Sequence, residues 1–281
     1  PRIMIRFIAT DLDGTLIDND EGPQQYAELY RVVCRVRQNG GRWCIITGRH
    51  LSAMLSILQE FYYQKLVPDY LVVEDSRVYT VHPPFRFSPH WLWNARIDLR
   101  RFLLNLKHRR LLRELSGQLL QRFPEAENRS RSGIDIWAHF PDVEQATAAE
   151  TQLRERMITV QNYLLFRWGT EVCVAPAIGT KADALGRLQQ KLKLHPSEIF
   201  AVGDGANDIP MLQSPLVGWA ACVGNAAEGV RATIMQRGGY VARNPGLRGV
   251  LEALDATAQP QPRPPHERRP APAMAQPGDR F

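Results

Sequence analysis

The chain has 281 residues, 44% hydrophobic and 23% charged, close to the globular averages of roughly 45–50% and about 25%, which excludes wholesale disorder and a disulfide mini-scaffold. Four cysteines, Cys34, Cys44, Cys173 and Cys222, are widely spaced; they fit reduced thiols in a cytoplasmic protein and offer no structural zinc framework. The net charge is +6, and residues 96–131 alone carry ten basic residues against four acidic ones. These alternate with Leu103, Leu104, Leu106, Leu111, Leu112 and Leu115 in the manner of an amphipathic helix, and no nucleic-acid-binding signature accompanies them. No stretch reaches the roughly 20 apolar residues of a membrane helix, and residues 1–10 contain no signal-peptide h-region.

Residues 5–10 form a short apolar run, 26–38 read as a helix, 43–47 are apolar again, 51–61 have helical spacing through Leu55 and Leu58, and 70–73 form another short strand. Strands buried on both faces read as such runs, so a parallel sheet covered by helices is expected. From about 81 to 176 the pattern changes to two aromatic-rich pieces, a basic helix, a strand over 133–140, a helix over 143–157 and strand-like pieces near 163–166 and 171–174. The alternation returns with a helix at 181–193, strands at 199–202 and 216–223, and a helix at 246–254. The predicted architecture is an α/β Rossmann-like parallel-sheet core of residues 1–80 and 177–257 with an α+β insertion over 81–176. Residues 258–281 hold seven of the twenty prolines and are expected to be an extended or disordered tail.

Every notable cluster of polar residues follows a predicted core strand. Asp11-Leu12-Asp13-Gly14-Thr15 comes directly after the first strand, and Gly203-Asp204-Gly205-Ala206-Asn207-Asp208 after the strand at 199–202. Open α/β sheets bind ligands in the crevice outside the carboxyl ends of their strands. Asp11, Asp13, Asp204 and Asp208 gathered there would repel one another unless a hard cation such as Mg²⁺ lay among their oxygens. Thr47-Gly48-Arg49 follows another strand and offers a hydroxyl and free backbone N–H groups. Thr180-Lys181-Ala182-Asp183 reads as a capping box that puts Lys181 in a helix's first turn, where a cation is disfavoured unless an anion offsets it. Metal, lysine, hydroxyl and backbone donors around one crevice describe a phosphoryl site.

With these four segments in order, the sequence resembles the haloacid dehalogenase (HAD) superfamily of aspartate-nucleophile phosphatases. The run Gly224-Asn225-Ala226 and the closing helix resemble its sugar-phosphatase branch, the Cof-like and sucrose-phosphate-phosphatase-like enzymes, in which a large α+β cap lies between the second and third motifs. The resemblance implies Asp11 as nucleophile and Asp13 as general acid and base. It implies phosphate binding by Thr47, Gly48, Lys181 and Asn207. It places Mg²⁺ at Asp11, Asp204, Asp208 and the backbone carbonyl of Asp13. The chain departs from many relatives after residues 70–73, where Glu74-Asp75-Ser76-Arg77 stands in place of an Asn-Gly pair.

The expected function is Mg²⁺-dependent hydrolysis of a sugar phosphate or similar small phosphorylated metabolite through an aspartyl-phosphate. A phosphomutase or phosphotransferase sharing that intermediate, and a non-catalytic sugar-phosphate-binding partner of a glycosyltransferase, are the alternatives. Neither nucleic acid nor membrane is an expected partner, and a monomer or weak homodimer is expected. Trp91, Trp93 and Trp137 are expected to fill cores, and Pro83-Pro84 and residues 176–179 to flank the cap as hinges.

Overall fold

The computed structural model describes residues 4–17, 23–130, 135–158 and 160–258. The chain begins with β1 (Phe7–Thr10), α1 (Pro23–Gln38), β2 (Arg42–Ile46), α2 (Leu51–Tyr63), β3 (Tyr70–Val73), β4 (Arg77–His82) and β5 (Arg86–Pro89). A long helix α3 (Trp91–Arg122) leads into β6 (Glu127–Asn128), β7 (Ile136–His139), α4 (Val143–Met157), β8 (Tyr163–Trp168) and β9 (Glu171–Pro176). The chain returns through α5 (Lys181–Leu192), β10 (Ile199–Gly203), α6 (Ile209–Leu212), β11 (Trp219–Cys222), α7 (Glu228–Arg237), β12 (Tyr240–Val241) and α8 (Gly246–Ala258). The proline-rich tail and residues 131–134, where the strand predicted at 133–140 begins, lie outside the described residues.

The larger sheet has eight strands in the order β12-β11-β10-β1-β2-β3-β4-β5. Pairing is parallel from β12 to β3 and antiparallel from β3 to β5. The apolar runs become central strands because helices cover both faces of the sheet: every residue of β1 is buried, as is every residue of β10. α5 illustrates how a helix is fixed against this sheet. Thr180 and Asp183 close a capping box at its start, Ala184, Leu185 and Leu188 form its buried stripe, and the chain leaves it through a left-handed Lys193 at φ 53°.

A second, antiparallel sheet has the order β6-β7-β9-β8. Ile136 and Ala138 on β7 and Val172 and Val174 on β9 alternate toward one face. There they meet Leu112, Leu115 and Leu119 of α3 and Ala146, Ala149 and Leu153 of α4 in a hydrophobic cluster separate from that of the larger sheet. Each such fully buried aliphatic side chain contributes about 1.5–3 kcal/mol of burial, enough to give this unit a core of its own.

The structure moves the near edge of the insertion. β4 and β5, which the sequence analysis divided at residue 81, both belong to the larger sheet, with Val81 opposite Phe87 and Tyr79 opposite Pro89. The aromatic-rich pieces are drawn there because Tyr79, Phe85 and Phe87 pack against the main hydrophobic cluster. Pro83-Pro84 therefore lies in a hairpin turn of the core sheet, not at a junction with the cap. α3 is tied to the same hairpin: Asn94, 5% exposed, accepts from Val78 N and donates to Val78 O at 2.9 and 3.2 Å, and Trp93 Nε1 donates to Ser76 O. Trp93 packs at the edge of the core, whereas Trp91 is 75% exposed, against the expectation that it fills one. α7, absent from the sequence-based reading, follows Ala227, which offers no side-chain cap. The strand expected at 216–223 shortens to β11 because the chain still turns through Val217 and Gly218, whose N–H groups donate to Ser214 O and Pro196 O. Among the described residues no helix is long and apolar enough to cross a membrane.

Candidate active site

β10, β1 and β2 are adjacent and parallel, so the segments following their carboxyl ends converge on one crevice. Asp11, directly after β1, is 6% exposed and Asp208 is fully buried. Lys181, the first residue of α5, is also fully buried, and its Nζ donates to Asp11 Oδ1 at 2.5 Å and to Asp208 Oδ1 at 2.7 Å. Asp208 Oδ2 accepts from the N–H groups of Asp204 and Gly205 at 3.1 and 2.9 Å, folding the loop after β10 back on itself. Asp204 completes the cluster: one carboxylate oxygen from each of Asp11, Asp204 and Asp208 lies within 4.8 Å of the others.

The cluster is electrostatically incomplete. Three carboxylates face a single ammonium, leaving two negative charges uncompensated when all are ionised. Burial first, and the neighbouring Asp208 second, push Asp11 well above the usual carboxylate range, with Lys181 only partly opposing them. The same two causes push Asp204 up to about 6. Burial also works against the charge on Lys181, but Asp11 and then Asp208 outweigh it and hold the ammonium protonated. A divalent cation with a preference for hard oxygen ligands matches both the charge deficit and the donor set.

Glycine at position 14 is a steric requirement. Its φ is +71°, and a Cβ there would lie 2.3 Å from Asp204 Oδ2, so any side chain would displace the carboxylate. Thr15 Oγ1 donates to Asp204 Oδ1 at 3.1 Å. Asn225 donates to Gly14 O at 2.8 Å and accepts from Gly246 N at 2.9 Å, so the run Gly224-Asn225-Ala226 braces the first loop against the start of α8.

Asp13 points away from the acidic cluster. Its carboxylate pairs with Arg49 in the outer part of the crevice, and the hydrogen bond from Arg49 leads the causes that raise the arginine's pKa. Thr47, fully buried after β2, accepts from Arg49 N at 3.1 Å. Gly48 and Asn207 meet through a residue the sequence analysis did not single out as a site group: Asn207 Nδ2 donates to Asp75 Oδ1 at 3.2 Å, and the two Asp75 oxygens lie 3.6 and 3.7 Å from where a Gly48 Cβ would stand. Asp75 follows a third core strand end, a positional signal available from the sequence. Arg101 has no such signal. It reaches from α3 to Gly179 O at 2.6 Å and Glu74 O at 3.4 Å, a contact between segments far apart in the chain. Thus Asp11, Lys181 and Asp208 form a buried group with the half-buried Asp204 beside it, Asp13, Gly48 and Asn207 lie on its exposed side, and Thr47 is buried behind Gly48.

Over residues 4–256 the sequence matches the family described as sucrose-6F-phosphate phosphohydrolase. The chain belongs to this family of HAD-superfamily phosphatases. Its fold resembles that of the sucrose-phosphatase of Synechocystis sp. PCC6803, solved in complex with sucrose and phosphate, with a TM-score of 0.66 at 20% identity over 91% of this chain and 99% of that one. A haloacid dehalogenase-like hydrolase from Bacillus subtilis gives a TM-score of 0.52 at 16% identity, covering 91% of each chain. Local sequence similarity extends to the phosphoglycolate phosphatase of Aeropyrum pernix, 34% identical over 86 residues, and the phosphoserine phosphatase of Lactococcus lactis, 41% identical over 78 residues. These matches span about a third of each relative, 34% and 33% of their lengths.

Proposed function

We propose that this phosphatase hydrolyses a sugar phosphate through an aspartyl-phosphate on Asp11, with Mg²⁺ as its cofactor. The observation that carries the reading is the cluster of Asp11, Asp204 and Asp208, the first and last of them paired with one buried lysine, in a chain whose family is described by a sugar phosphate ester. Asp11, Asp204 and Asp208 are the side chains that would hold the metal. Bound there, Mg²⁺ supplies a Lewis acid that polarises a phosphoryl oxygen.

This chain's own groups divide the remaining work. An Asp11 oxygen attacks phosphorus and the ester oxygen departs, so the phosphoryl group passes to the carboxylate and one difficult displacement becomes two easier ones. Asp13, on the exposed side of the crevice, delivers a proton to the leaving oxygen and then takes one from the water that attacks the aspartyl-phosphate. Lys181 neutralises charge on the transferring group, while Thr47, the backbone around Gly48, and Asn207 orient its oxygens. The smaller sheet and its helices cover the crevice and select the leaving group.

The test is phosphate release from a panel of phosphomonoesters with and without Mg²⁺. Sucrose 6F-phosphate and hexose phosphates are the expected substrates. Faster release from phosphoglycolate or phosphoserine, or full activity in chelator, would overturn the reading. Transfer of the phosphoryl group to a sugar instead of water would favour a phosphotransferase.

A further inference from the structure

Glu74 and Asp75 occupy the turn between β3 and β4 with φ values of 51° and 62°. Two successive non-glycine residues in the left-handed region cost of order 1–3 kcal/mol each, and hairpin turns of this kind favour Asn and Gly. The turn is nevertheless fixed: Glu74 N donates to Arg49 O and Asp75 N to Thr47 O, each at 3.0 Å. Aspartate tolerates this conformation better than most non-glycine residues, but asparagine or glycine would serve the turn as well, so what aspartate adds over them is its charge.

That carboxylate lies over Gly48 and accepts from Asn207 on one oxygen. The neighbouring charges are internally paired. Asp13 is held by Arg49, Arg77 by Asp98 and Glu74, and Lys181 by Asp11 and Asp208. Among the described residues no lysine or arginine nitrogen lies within 4.0 Å of the Asp75 carboxylate. Arg101 is the complementary group. Its Nη2 is spent on two carbonyls, but its Nε is buried and has no hydrogen-bond partner, and Asp75 is the first charge that opposes the effect of its burial.

We propose that Asp75 and Arg101 form the leaving-group subsite: the Asp75 carboxylate accepts hydrogen bonds from vicinal hydroxyls of an uncharged polyol, and the Arg101 guanidinium donates to an oxygen of the same group. A carboxylate with a free oxygen accepts from two adjacent hydroxyls, and an arginine with an unspent N–H supplies the donor that such hydroxyls also require. The inference rests on the sugar-phosphate reading above and extends it from the phosphoryl end of the substrate to its alcohol end. It also places one half of the subsite on the core and the other on the helix that leads into the smaller sheet.

The experiment compares kcat/KM for a hexose phosphate with that for phenyl phosphate, whose leaving group carries no further hydroxyl. Asp75→Asn keeps the acceptor for Asn207 and tolerates a positive φ, Asp75→Gly removes the side chain and relieves the turn, and Arg101→Lys keeps the charge but loses Nε. In all three the ratio is expected to fall about tenfold or more, mainly through a higher KM for the hexose phosphate, with Asp75→Gly losing most. A purely structural role would lower both substrates alike. An unchanged ratio in the Asp75 variants or in Arg101→Lys, or equal loss on both substrates, overturns the paired subsite while a wild-type preference for the hexose phosphate keeps the sugar-phosphate reading. A wild-type enzyme that does not prefer the hexose phosphate overturns that reading and the subsite with it.

Discussion

Both carboxylate oxygens of Asp13 accept hydrogen bonds from the Arg49 guanidinium, Oδ2 from Nε at 2.9 Å and Oδ1 from Nη2 at 2.5 Å. Asp11, two residues earlier, is instead held by a buried lysine. Two aspartates in one short loop are thereby given different surroundings, one buried beside a lysine and one exposed beside an arginine.

Asp13→Asn is therefore expected to leave stability nearly unchanged, since exposed ion pairs contribute only about 0–1 kcal/mol. It should slow hydrolysis of alkyl phosphates by roughly 10²–10⁴ and that of an activated aryl phosphate much less, because a good leaving group needs no proton. Steady-state rates on the two ester types check this, and equal slowing would count against the acid role.

Lys181→Met should do more than stop turnover. Removing the ammonium leaves Asp11 and Asp208 facing each other in a buried site, a change expected to cost about 3–5 kcal/mol. Denaturant melts would measure it, and added Mg²⁺ should restore part of the loss. Unaltered stability would mean that the lysine does not hold the carboxylates together.

Chelation should remove activity and Mg²⁺ restore it, while raising the melting temperature through preferential binding to the folded state. Ca²⁺ should bind without restoring turnover, because its larger and looser coordination displaces the nucleophile. Equal rates with the two ions would contradict that geometry.

The His90 ring at the start of α3 gives a pH dependence remote from the acidic cluster. Its Nε2 lies 3.1 Å from both Thr80 Oγ1 and Lys191 Nζ, and the ring packs edge-on against Tyr70. Burial, then Lys191 and Arg187, lower its pKa from 6.5 to about 4. Between these values the unfolded chain binds a proton that the folded chain does not, so this contribution to stability is full above the unfolded pKa and is lost as pH falls toward the folded one. Melting temperatures between about pH 7.5 and pH 5 should decline more steeply for the wild type than for His90→Asn; matching slopes would refute the assignment.

The core was legible in the sequence because its strands are apolar runs ending in clustered polar residues. Tyr70–Val73 and Val143–Met157 fall at the predicted bounds, and the converging aspartates lie at the ends of neighbouring parallel strands. What escaped was decided by tertiary pairing. β4 and β5 carry no signal that says which sheet they join, and they are claimed by the larger one through Phe85 and Phe87. Asp75 follows a strand end, but it is the two successive left-handed residues Glu74 and Asp75 that bring it over Gly48, and Arg101 reaches the same place from a helix whose sequence reads as an ordinary basic face.

α3 runs unbroken through 32 residues, about 48 Å at 1.5 Å per residue. Its first turns are clamped to β4 by Asn94 and its later turns belong to the core of the smaller sheet, whereas the return path to α5 passes through Gly179 at φ +74°. The insertion is thus mounted on a long helix at one junction and on a short glycine-containing connection, pinned by Arg101 and Asp183, at the other. A tilt of about 5° at Arg101 carries the far end of the helix, about 32 Å along the axis, through roughly 3 Å. Leverage of this kind converts a small adjustment beside Asp75 into a displacement at the outer rim large enough to admit or shut out a water molecule.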